Sequence, residues 1–232
     1  MKRCAPFREQ RAKRSAFSAT DLLVIVAVLS LLGALGSIWI AGARQKSRQQ
    51  QCLGNLGKIN QAILSFANDH TEQLPAPNAE FPANIWWFYK EQVKTYAHLS
   101  GESSTNDTVF ACPSDRGYSE PGPFWRSSRF DFSSYVFNGV TLAGVPNIAG
   151  WQTSAVREPK KTLLAMEWTA HAPLSWHRSR TGKKNMPFYS DAESVVGFVD
   201  GHVRLTKIYY DGYNAAYTRD PIEPYDYKYS GD

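Results

Sequence analysis

Hydrophobic positions follow three different rhythms along the 232-residue chain. From Leu22 to Ala43 it reads LLVIVAVLSLLGALGSIWIAGA, 22 residues without a charge, with Leu, Val and Ile on every face of the helix they would form. About 20 residues rising ~1.5 Å each cross a ~30 Å hydrocarbon core, so this stretch is long enough to span a membrane. The buried helix of a soluble protein is usually shorter and apolar on one side only. After Arg44 the pattern becomes amphipathic: Leu53, Leu56, Ile59, Ile63, Leu64 and Ala67 recur at three- and four-residue steps, which predicts a helix with one buried face. Joined, the two segments predict helix from about Phe17 to near Asp69. It should stop before Leu74-Pro75-Ala76-Pro77, because proline disfavours helical geometry in its predecessor. Gly33, Gly36, Gly54 and Gly57 each weaken a helix by about 1 kcal/mol relative to alanine and mark places for bending or melting.

Beyond residue 73 the apolar residues come in short aromatic and β-branched clusters separated by turn signals such as Pro113-Ser114-Asp115, Pro121-Gly122-Pro123 and Val145-Pro146-Asn147. Trp86, Trp87, Phe88 and Tyr89 form the densest aromatic cluster, with a short helix expected through Tyr96 and Leu99. Two strand-like runs, Ser194 to Val199 and Val203 to Ile208, flank Asp200-Gly201, a pair that suits a type I′ hairpin turn. The tail from Tyr209, rich in Tyr, Asp and Pro, reads as irregular. No internal repeat is apparent.

The net charge of +5 points to an anionic partner only if the basic residues persist in the working protein. Six of the 26 basic residues, Lys2, Arg3, Arg8, Arg11, Lys13 and Arg14, lie in the first sixteen positions with the single Glu9 of the 21 acidic ones; loss of that segment leaves 20 of each. A neutral body gives no reason to expect nucleic acid. The basic flank also orients the span, holding the N-terminus in the cytoplasm and exporting the long C-terminal part, although Arg44, Lys46 and Arg48 lie on the far side. Of three cysteines, Cys4 falls in the basic segment, leaving Cys52 and Cys112 either as a disulfide or as two separately buried thiols.

A secretory signal ends in a small-x-small cleavage site after a short apolar region. Here the candidate processing site, Lys13-Arg14-Ser15-Ala16 followed by Phe17-Ser18-Ala19-Thr20-Asp21, precedes the apolar run. The segment from Arg14 to Leu32 resembles the class III leader of type IV pilins and type II secretion pseudopilins. The resemblance implies that a membrane-embedded prepilin peptidase cuts between Ala16 and Phe17 and methylates the Phe17 amine, and that Asp21 occupies the place of the family's fifth-position glutamate. A carboxylate in hydrocarbon is costly unless paired, and the α-amine of a neighbouring subunit's Phe17 can pair with it. The other reading is an interfacial Asp favoured by the helix dipole. Ala16 stands where the family has glycine, and Asp21 is one methylene shorter than glutamate.

Downstream, Cys52-Leu53-Gly54-Asn55-Leu56, Phe110-Ala111-Cys112-Pro113-Ser114-Asp115, Ser134-Tyr135-Val136-Phe137-Asn138, Thr162 to Glu167 and Phe198-Val199-Asp200-Gly201-His202-Val203 occur in order. This set resembles the bacterial prepilin-type proteins named for a His, nine residues, then Asp-Gly. Ser190 stands at the name-giving His position, so no role of that imidazole carries over. The resemblance implies an α+β, pilin-like fold: a leader over 1–16, a transmembrane helix over 17–43, an amphipathic stalk over 44–72 and an antiparallel β-rich extracytoplasmic domain over 73–232, the chain crossing the bacterial inner membrane once.

Chemistry is sparse. His171 and His177 are closest in sequence among the five histidines, but their spacing matches no familiar zinc pattern. His202 reads as a strand residue. Glu167, Asp191, Glu193 and Asp200 could form a hydrolytic carboxylate pair only at separations that sequence does not give. Nucleophile elbow, phosphate loop and dinucleotide fingerprint are absent. Trp86, Trp87, Trp125, Trp151, Trp168 and Trp176 suit a core better than a sugar platform, and no calcium ligands can be assigned from Asp211, Asp220 or Asp226. The expectation is therefore a non-enzymatic pseudopilin-like subunit, with no cofactor, metal or catalytic residues, whose partners are prepilin peptidase, other pilin-like subunits and the membrane. A membrane-anchored module binding carbohydrate or an envelope protein stands second, and an anchored hydrolase third.

Overall fold

The computed structural model describes residues 18–78, 86–117, 122–140, 142–171, 175–177, 192–208, 220 and 225–232. The chain divides into two compact units, 1–44 and 45–232. Helix α1 spans Ala19–Asp69 and is helical at Gly33, Gly36, Gly54 and Gly57, where the sequence marks bends or melting.

In the first unit the helix is apolar and uncovered: Leu23 is 69% and Trp39 80% exposed, and it is long and apolar enough to cross a membrane. Its start is closed by a reciprocal pair. The Ser18 N–H donates to Asp21 Oδ2 at 2.9 Å, and the Asp21 N–H donates to Ser18 Oγ at 3.2 Å, a capping box with aspartate in the acidic position.

In the second unit the same helix buries one face: Cys52, Leu56, Ile59, Asn60, Ile63 and Ala67, at three- and four-residue steps, are shielded from solvent. It ends at Asp69, followed by Thr71 and Glu72 at positive φ, 57° and 62°, a region from which their Cβ atoms normally exclude them. Helix α2 (Tyr89–Val93) passes into a 3₁₀ turn over Lys94–Ala97, so a short helix does follow the aromatic cluster. Wholly buried Lys90 is neutralised there by Asp107 at 2.9 Å.

Four strands, β1 (Tyr135–Phe137), β2 (Leu163–Glu167), β3 (Glu193–Phe198) and β4 (Val203–Lys207), form an antiparallel sheet in chain order. The fold is thus α+β. All of β1 and β2 is buried, since the sheet is covered on both faces and apolar runs replace strict alternation. Tyr135, Phe137, Leu164 and Val195 belong to the core that includes the helix face; Val136, Met166, Val196 and Phe198 belong to a second core with Tyr227 and Tyr229. The tail is therefore structured where it is described: Leu163 N–H donates to Lys228 O and Lys228 N–H to Lys161 O, both at 2.9 Å. It forms no helix or strand among the described residues, as expected, yet its tyrosines supply the sheet's second cover.

The β3–β4 connection also departs from expectation. Gly201 N–H donates to Phe198 O and Phe198 N–H to His202 O, leaving a three-residue loop, Val199 to Gly201, in which Gly201 alone has positive φ (94°). A type I′ turn needs positive φ at both central residues. Asp200 avoids it because its N–H is drawn to Pro159 O and its carboxylate accepts the His202 N–H, both at 3.1 Å.

One close approach couples helix to sheet. Asn60 Nδ2 donates to Phe198 O at 3.3 Å, and a Cβ at Gly197 would lie 2.3 Å from that amide nitrogen. Gly197→Ala should cost on the order of 1–3 kcal/mol, read by urea denaturation of the detergent-solubilised chain, and adding Asn60→Ala should recover much of the loss. An unchanged midpoint in the single variant would show that the helix can move away freely.

Candidate functional site

Two places carry the residues singled out by the sequence, one in each unit. In the first, Asp21 is exposed in the opening turn of α1, its Oδ2 occupied by Ser18. Ala16 and Phe17 lie outside the described residues.

In the second unit, the sequence left Cys52 and Cys112 open between bond and free thiols; the structure has the disulfide, with Cα atoms 5.1 Å apart. Cys52 comes from α1, and Cys112 follows the 3₁₀ turn Thr108–Phe110. Asn55, one helical turn from Cys52, holds that loop by donating to Thr108 O and Ala111 O at 3.2 and 2.9 Å. On the chain-entropy account, closing a 60-residue separation stabilises the fold by on the order of 4 kcal/mol.

The disulfide has two ionisable neighbours that sequence reasoning missed as a group. Glu167, at the end of β2, and His177 are both buried, and His177 Nε2 lies 2.8 Å from Glu167 Oε1. Cys112 Sγ is 3.2 Å from the same oxygen and 4.0 Å from the same nitrogen. One donor atom from each of Cys52, Cys112, Glu167 and His177 lies within 4.8 Å of all the others. The pairing of His171 with His177 concealed this: His171 instead packs edge-on against Trp86 at 4.0 Å, and burial pushes its imidazole down to about 3. Nor does Glu167 meet Asp200, which lies beyond the other end of β3; Asp191 is outside the described residues.

The support around the cluster uses the residues of the ordered motifs. Val195 N–H donates to Glu167 Oε2 at 2.8 Å, leaving Oε1 aimed at His177 and Cys112. Ser134 Oγ accepts the Cys112 N–H at 3.0 Å and donates to Asp115 Oδ2 at 2.7 Å. Asp115 also accepts the N–H groups of Gly117 and Phe124, at 2.7 and 2.8 Å. Asn138 donates to Leu163 O and Tyr229 O, both at 2.8 Å, tying the tail to a carbonyl where the β2–β3 register shifts.

The remaining marked residues are dispersed. Asp200 and Gly201 lie in the hairpin loop and His202 follows it, with His202 Nδ1 2.5 Å from Asp200 Oδ1 and the imidazole stacked on Phe198 at 4.2 Å. Trp87 and Trp176 are core residues, while Trp86, Trp125, Trp151 and Trp168 are half-buried. Comparison with protein-family models, curated proteins and solved structures finds no match.

Burial pushes the Asp115 carboxyl up to about 6, against the lowering effect of its hydrogen bonds. The folded chain then holds a proton there, between roughly pH 4 and 6, that the unfolded chain has released, so this group's contribution to stability falls as pH rises through that window. His171 acts oppositely, because the unfolded chain takes up its proton first as pH falls below about 6.5. The comparison with Asp115→Asn isolates the first effect: relative to the variant, the wild-type chain should lose stability from pH 4 to 6 with a slope of at most about 1.4 kcal/mol per pH unit. Denaturation midpoints across that range provide the check, and parallel pH curves would place the Asp115 titration elsewhere.

Proposed function

We propose that this chain is a pseudopilin-like structural or assembly-associated subunit of a type II secretion or type IV pilus-like system, matured by a prepilin peptidase that acts between Ala16 and Phe17. The observation that carries the reading is an exposed, uncharged helical stretch preceded by a basic segment and opened by one acidic residue, Asp21. A secretory signal is built the other way round, with the processing site after the apolar run. In this reading the helix stays on the mature protein as a single membrane anchor in the bacterial inner membrane, the domain from residue 73 faces outward, and the fold is pilin-like. Function lies in packing apolar helices of successive subunits, with no turnover of a substrate. The burial of the Glu167–His177 pair agrees with this, since hydrolysis would need a substrate to reach it.

Asp21 has two roles in this proposal. Within one chain it accepts the Ser18 N–H and so starts its own helix. During assembly its carboxylate pairs with the methylated amine of a neighbouring subunit's Phe17, because an unpaired charge at that depth is expensive.

Two measurements test the reading. Intact mass and peptide sequencing of the protein from its native membranes should give a chain that begins at N-methylated Phe17; retention of Met1 to Ala16, or cleavage after the apolar run, would overturn the proposed maturation. Asp21→Asn keeps a carbonyl acceptor for the Ser18 N–H but removes the charge, whereas Asp21→Ala removes both. Both variants should insert into the membrane and both should fail to enter assemblies. If the Asn variant enters normally and only the Ala variant fails, capping alone explains the residue.

A further inference from the structure

The geometry points to a second state for the Cys52–Cys112 pair: with the disulfide opened to two thiols, Cys52, Cys112, Glu167 and His177 bind one zinc ion. This assignment is independent of the pseudopilin reading.

Two thiolates, one imidazole and one carboxylate make a donor set suited to zinc, whose borderline softness accepts sulfur, nitrogen and oxygen together in a tetrahedron. Zn–S bonds of about 2.3 Å and Zn–N or Zn–O bonds of about 2.0–2.2 Å put neighbouring donors roughly 3.3–3.8 Å apart. The Cys112–Glu167, Glu167–His177 and Cys112–His177 distances of 3.2, 2.8 and 4.0 Å lie close to that range. Breaking the S–S bond lets the two sulfurs move apart to the separation the metal needs. All four residues are buried, which makes a closed structural site with no position for a substrate.

The surroundings are prepared for such a site. Val195 N–H holds Glu167 Oε2, so the carboxylate offers Oε1 alone. His177 is seated from both sides of its backbone: its N–H donates to Ser175 Oγ and its carbonyl accepts from Gln45 Nε2, each at 2.9 Å. Trp176 Nε1 donates to Gly117 O at 3.2 Å and pins the same segment. His177 Nε2 faces Glu167 Oε1 at 2.8 Å, while its Nδ1 is buried with no hydrogen-bond partner; when Nε2 gives its lone pair to the metal, the imidazole proton resides on Nδ1. Asn55 and Ser134 position the Cys112 backbone in either state.

The chemistry balances with a named reductant. A dithiol exchanges with the disulfide, releasing both cysteines as thiols while it becomes a disulfide itself; a phosphine does the same in water, taking the oxygen as phosphine oxide. Zinc then displaces one proton from each thiol. The helix remains tied to the same loop, now through a metal.

The test uses the full chain in detergent with Cys4→Ser, so that Cys52 and Cys112 are its only cysteines. Variants Glu167→Gln and His177→Gln are first shown to be folded in the oxidised state by circular dichroism. Each protein is reduced with a phosphine under nitrogen, loaded with zinc and gel-filtered, and its metal content is measured. The reduced parent should retain about one zinc per chain and the oxidised parent none above background. Cobalt in place of zinc should give the strong visible absorption of tetrahedral thiolate coordination. Each Gln variant should bind at least about 10-fold more weakly, as expected when a ligand is lost from a site where even outer-shell changes have such effects. A reduced parent that retains no zinc overturns the assignment, as does zinc binding that both Gln variants leave unchanged, which would reduce the site to two thiols.

Discussion

The second unit depends on a helix face that is not purely apolar. Between Cys52 and Ala67, α1 brings leucine and isoleucine to the sheet, but it also brings buried Asn55 and Asn60. Their amides must be satisfied or the burial of the whole face loses its advantage. Asn60 Nδ2 finds the Phe198 carbonyl, although its Oδ1 stays buried without a partner, and Asn55 finds two carbonyls beside Cys112. These contacts are directional where hydrophobic contact is not, so they fix how far along the sheet the helix lies. Gly197 is the corresponding concession in β3, leaving room for the Asn60 amide.

The same logic explains why a small domain contains so many buried polar groups near one disulfide. Cys112, Asp115, Ser134 and Glu167 come from three segments with no regular pairing between the loop and the strands. Side-chain hydrogen bonds therefore take the place that a ladder has elsewhere. Ser134 links the Cys112 backbone to Asp115, and Asp115 in turn gathers Gly117 and Phe124. Such a network tolerates little rearrangement, because each member that loses a partner is left buried and unsatisfied. A rigid shell of this kind can hold Glu167 and His177 beside the sulfurs whichever bond those sulfurs make.

Much of the fold was legible because the relevant signals are local. The uncharged run, the three- and four-residue recurrence after Arg44 and the proline cluster at 75–77 predict a helix ending near Asp69, and it does. The two runs around Asp200-Gly201 predict a hairpin, though the turn type depends on the Asp200 N–H reaching Pro159, which lies 41 positions away and leaves no local trace. The cysteine pair was readable as an alternative and no further, since the choice depends on Cα separation. Glu167 and His177 were each noticed, but with other partners in mind. Ligands drawn from a helix, a loop, a strand end and a second loop have no spacing that a pattern could capture. The tail's irregular course was legible from its tyrosine, aspartate and proline, but the burial of Tyr227 and Tyr229 was not, because it comes from a sheet face far away in the chain.

The role of that tail bears on when the domain can fold. Residues 225–232 emerge from the ribosome after every strand of the sheet, yet Tyr227 and Tyr229 close one of its two cores and Lys228 bonds to the backbone beside β2. Until they arrive, Val136, Met166, Val196 and Phe198 have no complete cover. Strand pairing can therefore come before this core is closed, because its cover lies after all four strands in the chain. The helix-facing core contains no residue of this tail, so the two sides of the sheet can be covered in sequence, the helix side first and the tyrosine side last.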